Sequence, residues 1–275
     1  QGQRYASESV SNSGCGIMLS GVRDAVIDNV TVKNSMGHAI NITDTYVKTH
    51  SGTELADRTR VFTGYSENIA IINCTVIDPY LDDAITTHIT KGCIIANCRC
   101  SFDYAGKAEI NNWAPQTGIE IDDGSENVSV VNCYVEGFGC GFNAKAHGFA
   151  PAAKHVSFSN IVVKDTALGF QIAHSFSASA DTTGYNAETE EASGIFVKNI
   201  VIDGLDVKPL SYSSAEYARG LFISQVRNVF IDGVSISNVN RNVGFENYIY
   251  KSSKVSIKNV TIKGQHNVLA AGATV

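Results

Sequence analysis

The feature that most constrains this chain is a strict alternation of two short motifs, eight copies of each. The first reads AVIDNVTV (25–32), IAIINCTV (69–76), CIIANCRC (93–100), VSVVNCYV (128–135), VSFSNIVV (156–163), IVIDGLDV (200–207), VFIDGVSI (229–236) and VSIKNVTI (255–262). Apolar residues alternate with polar ones, the pattern of a strand with one buried face. Asn29, Asn73, Asn97, Asn132, Asn160 and Asn259, with Gly204 and Gly233, fall in one column. Both residue types tolerate left-handed backbone, so the column predicts a sharp corner between two short strands. The second motif starts with a small residue and alternates again: GIMLS (16–20), AINIT (39–43), AITTH (84–88), GIEID (118–122), GFNAK (141–145), GFQIA (169–173), GLFIS (220–224) and GFENY (244–248). Short strands in a repeat of roughly 20–30 residues, with no helical periodicity, predict an all-β parallel β-helix of about eight or more coils. A sandwich would explain the alternation but not the fixed order of two motifs.

The 275 residues are read as one β-helix domain, interrupted by inserted loops at 45–67, 101–117 and 175–198. The chain opens in mid-pattern without an initiator Met, the expectation for a piece of a longer protein. With 44% hydrophobic and 17% charged residues it is not disordered, and no apolar run approaches the length of a membrane-spanning helix. A net charge of -6 without a basic stripe excludes a general nucleic-acid binder. The seven cysteines lack zinc-site spacing, and the Cys74, Cys98 and Cys133 column is best read as buried thiols.

In a stack of coils about 4.8 Å apart, the outward positions of the second motif form a grid. One column runs Met18, Asn41, Thr86, Glu120, Asn143, Gln171, Phe222, Glu246; the other runs Ser20, Thr43, His88, Asp122, Lys145, Ala173, Ser224, Tyr248. Its centre gathers chemistry. Glu120 and Asp122 share one strand face at a spacing suited to glycoside cleavage, and their mutual repulsion would separate their pKa values into an acid and a base. His88 and Lys145 lie one coil either side of Asp122, placed to stabilise an anion or accept a proton. Alternatively Glu120, Asp122 and Asp123 hold a divalent cation, calcium or magnesium. The bland alternative is a solvated charge ladder. Asp83, Asp123, Asn143, Gln171, His147 and His174 border the grid as further catalytic or substrate-binding candidates. Trp113 and Tyr104, in the middle loop, suit stacking on sugar faces; Trp113 could equally plug that loop against the helix. His38, His50, His155 and His266 have no acidic or repeat context and read as structural or surface.

At DDAITTH (82–88), GIEIDDGS (118–125), AKAHG (144–148) and QIAHS (171–175) the sequence resembles the pre-neck appendage, or tail-spike, family of small podoviruses of Gram-positive hosts. The resemblance covers roughly residues 65–210. It implies a right-handed, single-stranded β-helix of the pectin-lyase type, in a homotrimer at the virion tail. It also implies binding and hydrolysis of cell-wall teichoic acid or a related surface glycan. By motif, Asp82, Asp83, His88, Glu120, Asp122, Asp123, Lys145, His147 and His174 match the family's residues. Ile89 stands where the family has a second His. Two other readings stay open: a polysaccharide glycosidase or lyase, and a glycan-binding adhesin without catalysis.

Overall fold

The computed structural model describes residues 14–44, 64–103, 116–146, 151–174, 192–206, 217–240, 244–263 and 269–272. They form two parallel sheets and no α-helix. The first sheet stacks β1 (Ile17–Ser20), β4 (Ile40–Thr43), β7 (Ile85–Thr87), β10 (Thr117–Ile121), β13 (Cys140–Ala144), β15 (Leu168–Ala173), β17 (Tyr217–Ser224), β19 (Gly244–Tyr250) and β21 (Leu269–Gly272), in that order. These are the second-motif strands. The other sheet is built from the first motif. In four coils the corner splits it into strand pairs: β2 (Arg23–Asp28) and β3 (Thr31–Lys33), β5 (Ser66–Ile72) and β6 (Thr75–Ile77), β8 (Thr90–Ala96) and β9 (Arg99–Ser101), β11 (Glu126–Val131) and β12 (Tyr134–Glu136). In the next four it runs unbroken as β14 (Lys154–Thr166), β16 (Ala192–Leu205), β18 (Val226–Val239) and β20 (Ser253–Ile262). Each strand pairs with its counterpart one coil away, which is a parallel β-helix.

Alternation sends one set of side chains inward, where coils stack like on like. Ile40, Ile85, Ile119, Phe142, Phe170 and Leu221 are in register and buried. The rings of Phe142 and Phe170 lie 5.1 Å apart and nearly parallel. Removing one such ring would cost roughly 3–5 kcal/mol through lost burial and the cavity left behind. The small residue that opens the second motif has a steric cause. A Cβ on Gly118 would sit 2.2 Å from a methyl of Val135, and one on Gly141 2.4 Å from the Gly169 carbonyl.

The asparagine column is a ladder on the outside. Asn97 donates to Asn73, Asn132 to Asn97 and Asn160 to Asn132, over 3.1–3.4 Å. Their φ values of 54–56° are left-handed, as the sequence predicts. The sixth copy corrects the reading. Asn199 continues the ladder by donating to Asn160 at 3.1 Å, so Asn199 holds the column position given to Gly204 from sequence. Ile161 pairs with Ile200, so the true copy is IFVKNIVI (195–202), and Gly204 belongs to a later corner against Asp165. At the base of the ladder Asn73 donates to Asp28, not to Asn29. The described part of the third loop is also revised, because 192–198 is strand. All seven cysteines are free, and burial pushes the Cys93 thiol up to about 12.

Candidate active site

The grid forms on the outer face of the first sheet. Thr86 pairs with Glu120, Glu120 with Asn143, and Asn143 with Gln171. Inward neighbours Ile119, Ile121, Phe142 and Ala144 are in the core, so these polar side chains point away from it. They are nevertheless enclosed. Asp122 is 0% exposed and Glu120 3%, whereas His88 and Lys145 keep about one-seventh of their side chains in solvent (14% and 15%).

Lys145 joins the two acids. Its Nζ is 2.6 Å from Asp122 Oδ2 and 3.3 Å from Glu120 Oε1. Burial alone would lower the ammonium pKa, but Asp122, Glu120 and Asp123 together raise it well above the ordinary lysine value. Lys145 is therefore a fixed cation. Glu120 Oε2 accepts from the Thr86 hydroxyl at 3.2 Å, and Oε1 accepts from Asn143 Nδ2 at 3.0 Å. Burial, reinforced by the Asp83 charge and opposed by Lys145, pushes the Glu120 carboxyl up to about 8. Near neutral pH Glu120 thus carries a proton, while Asp122 is the ion-pair partner of Lys145. The Glu120 shift comes from burial first and from neighbouring negative charge second, whereas the sequence reading gave mutual repulsion as its cause.

His88 closes the other side, with Nε2 3.6 Å from Asp122 Oδ2. Its Nδ1 lies 3.3 Å from Asn41 Oδ1, which accepts when the ring carries its proton on Nδ1. Burial lowers its pKa against the pull of Asp122 and Asp123, which favours the neutral ring. The next residue, Ile89, holds a left-handed φ of 46°, rare for a β-branched side chain, and its N–H donates to the Asp123 carbonyl at 2.6 Å. Such strain, found where His88 leaves its strand, is common at functional sites.

Asp83 is buried and accepts the Thr117 N–H at 2.9 Å. Its other oxygen is 3.4 Å from His38 Nδ1, which is also 3.3 Å from Asp82 Oδ1. His38 corrects the sequence reading. It precedes its motif copy by one residue and is isolated in sequence only because its acids come from the next coil. Burial pushes its imidazole down, but the Asp83 hydrogen bond and the charges of Asp83 and Asp82 outweigh this and hold it at about 9. Asn41, the partner of His88, was likewise placed on the grid by sequence but given no role.

Asp123 is buried at the turn after β10 and acts on Lys145 and His88 through its charge. Gln171 is half-buried one coil beyond Asn143. His174 is buried, and its N–H donates to the Ser224 carbonyl at 3.1 Å. His147, Trp113 and Tyr104 lie outside the described residues. The columns shift at their far end. Phe222 pairs with Tyr248 and Ser224 with Tyr250, while Glu246 pairs with Arg219. One extra residue in β17 between Arg219 and Phe222 displaces the count made from sequence.

Among the described residues, His88, Glu120 and Asp122 bring ligand atoms within 4.8 Å of one another, as do His38, Asp82 and Asp83; Asp123 is in neither group. The first set does not fit a calcium or magnesium ion. Lys145 already supplies the cation between its carboxylates, and a protonated Glu120 is a poor ligand for a hard metal. A cavity of about 710 Å³ lies elsewhere, bordered by Asp78, Arg99, Glu136, Asp165 and Asp206, and none of the grid acids lines it.

Comparison with known proteins agrees with this architecture. The right-handed β-helix region family matches residues 7–163. The pre-neck appendage protein of Bacillus phage phi29 is 30% identical over 209 residues, covering 74% of this chain and 22% of the phage protein. A putative phage-related protein, YobO, of Bacillus subtilis strain 168 is 30% identical over 206 residues, covering 72% of this chain and 24% of that protein. The chain thus spans about a quarter of the length of these relatives. In structure it is similar to the N-terminal fragment of phi29 gene product 12, with a TM-score of 0.75 at 22% identity over 91% of this chain and 39% of that one. By sequence match and by coil architecture alike, the chain belongs to the right-handed β-helix family.

Proposed function

We propose that this chain is the glycan-engaging β-helix of a phage tail appendage, and that it hydrolyses a teichoic-acid-like polymer or a related surface glycan of the host. The kinship with pre-neck appendage proteins supports the setting, a virion tail. The observation that carries the chemistry is the buried pair of acids bridged by one lysine, with burial pushing the Glu120 carboxyl up to about 8 and Asp122 ion-paired to Lys145.

In this mechanism Glu120 gives its proton to the leaving oxygen of the cleaved bond. His88 Nε2, beside Asp122, takes a proton from the attacking water, and Asp122 stabilises the imidazolium that forms. Lys145 offsets negative charge developing on a phosphate or an alkoxide. Asn143 Oδ1 is buried without a hydrogen-bond partner, an acceptor suited to a substrate hydroxyl. A chain of net charge -6 repels a polyanion at long range, so Lys145 and His88, the cluster's solvent-facing edge, make the first contact.

The enclosure of Asp122 and Glu120 also favours a second reading, in which the cluster is a buried structural network and the face only binds glycan. Incubation with purified Bacillus wall polymer separates the two. Hydrolysis shortens the polymer and leaves phosphomonoester ends or new reducing ends, according to the bond; an unsaturated uronide would indicate a lyase. Asp122→Asn should retain the β-sheet circular dichroism and lose cleavage by about 10²–10⁴-fold. A polymer that wild-type protein leaves at full length sinks the hydrolase and leaves the adhesin.

A further inference from the structure

Past Gln171 the outer column of the first sheet changes character. Phe222 and Tyr248, on consecutive coils, stack with centroids 5.1 Å apart and planes within 12°. Tyr250 extends the row, 5.8 Å from Tyr248, and is 37% exposed. The Arg219 guanidinium lies 5.3 Å from the Phe222 centroid and 5.8 Å from that of Tyr248, and it is ion-paired with Glu246. The extra residue in β17 sets this arrangement, because it turns Arg219 toward the rings that follow it.

We propose that Phe222, Tyr248 and Tyr250, with the Arg219–Glu246 pair, form a remote subsite for a pyranose ring of the bound polymer. This rests on the reading that the outer face of the first sheet carries a glycan. The C–H-rich face of a pyranose packs against aromatic surface, and an arginine–carboxylate pair offers donors and an acceptor to its hydroxyls. Position decides the occupant. The column Glu120, Asn143, Gln171, Phe222, Tyr248 is continuous in register, so Phe222 is three coils and Tyr248 four coils from the acid. At the coil spacing that is about 14 and 19 Å along the axis. A polymer lying along the face with its scissile bond at Glu120 reaches the rings three or four sugar lengths away. Binding there is made equally in the ground and transition states, so it adds affinity for long chains and leaves turnover unchanged.

The test is direct binding of size-fractionated wall-polymer fragments to the whole chain, for wild type, Phe222→Ala, Tyr250→Ala and Glu246→Gln. Tyr250→Ala and Glu246→Gln alter partly exposed side chains (37% for Tyr250, 24% for the Glu246 side chain) and serve where Phe222→Ala disturbs the fold. The expected result is roughly tenfold weaker binding of long fragments by the aromatic variants, with one- and two-repeat fragments unaffected. Polymer stripped of pyranosyl substituents distinguishes a sugar branch from a backbone sugar: if the difference between wild type and variants disappears, the branch is the occupant. Variants that bind long fragments as tightly as wild type overturn the subsite while leaving the hydrolase reading intact. A wild-type chain that binds no fragment overturns both.

Discussion

The two sheets share one inner logic and differ on their outer faces. On the first-motif sheet the outward side chains Val26, Ile94, Phe196 and Phe230 are 42–66% exposed and uncharged. On the second-motif sheet the corresponding stripe is Thr86, Glu120 and Asn143, each at most 3% exposed, with Asp122 and Lys145 beside them. Apolar groups lie in water on one face and ionisable groups are enclosed on the other, the reverse of what stability favours. The proposed hydrolysis would use this enclosed charge and its shifted proton affinity.

The sharpest way to break this comparison is to remove one cation from each face. Lys145→Met leaves Asp122 facing no ammonium in an enclosed site and should lower stability by about 3–5 kcal/mol. Lys164→Met, on the other sheet, removes a 41%-exposed partner of Glu136 and should cost less than about 1 kcal/mol. Urea unfolding of both variants measures the difference; equal losses would mean that the enclosure of Lys145 has no energetic consequence.

Proton affinity is the next lever. Glu120 binds its proton more tightly folded than unfolded, so its contribution to stability is complete below about 4.5 and is lost as pH rises through about 8. His38 has the same sign: its contribution is complete below 6.5 and is lost as pH rises through about 9. Thermal unfolding should therefore show stability falling from near pH 5 to pH 9. Glu120→Gln should flatten this slope and raise Tm above pH 8 by about 5 °C, while cutting activity by about 10²-fold or more. A variant that is both less active and less stable above pH 8 would contradict a role for burial in storing the proton.

A smaller effect belongs to the asparagine ladder. Asn132→Ala removes two side-chain hydrogen bonds and puts a Cβ without local hydrogen bonding at φ 55°, at a cost of about 1–2 kcal/mol. Asn132→Gly keeps the backbone conformation and should cost less. The order of the two midpoints in denaturant tests whether the corner or the ladder dominates.

Much of this was legible from residue spacing alone. Outward positions on one strand and its neighbours are fixed by the pleat, so Thr86, Glu120, Asp122, Asn143 and Lys145 could be gathered before any coordinates. Two things escaped. His38 meets Asp82 and Asp83 only because the intervening segment returns the chain one coil later, a contact that local pattern does not encode. Gly204 was aligned in place of Asn199, and Glu246 in place of Tyr248, because β16 offers two Asn/Gly corners five residues apart and β17 carries one extra residue. Repeat counting registers a column only where each copy has one possible corner and no bulge.

Whether the enclosed face keeps a proton on Glu120 while Asp122 stays paired with Lys145 decides the proposed chemistry. Carboxyl-carbon NMR of protein labelled at glutamate tests it most directly. One resonance should titrate near pH 8 and vanish in Glu120→Gln; if every glutamate titrates in the ordinary carboxylate range, Glu120 is not the stored acid and the proposed hydrolysis loses its proton donor.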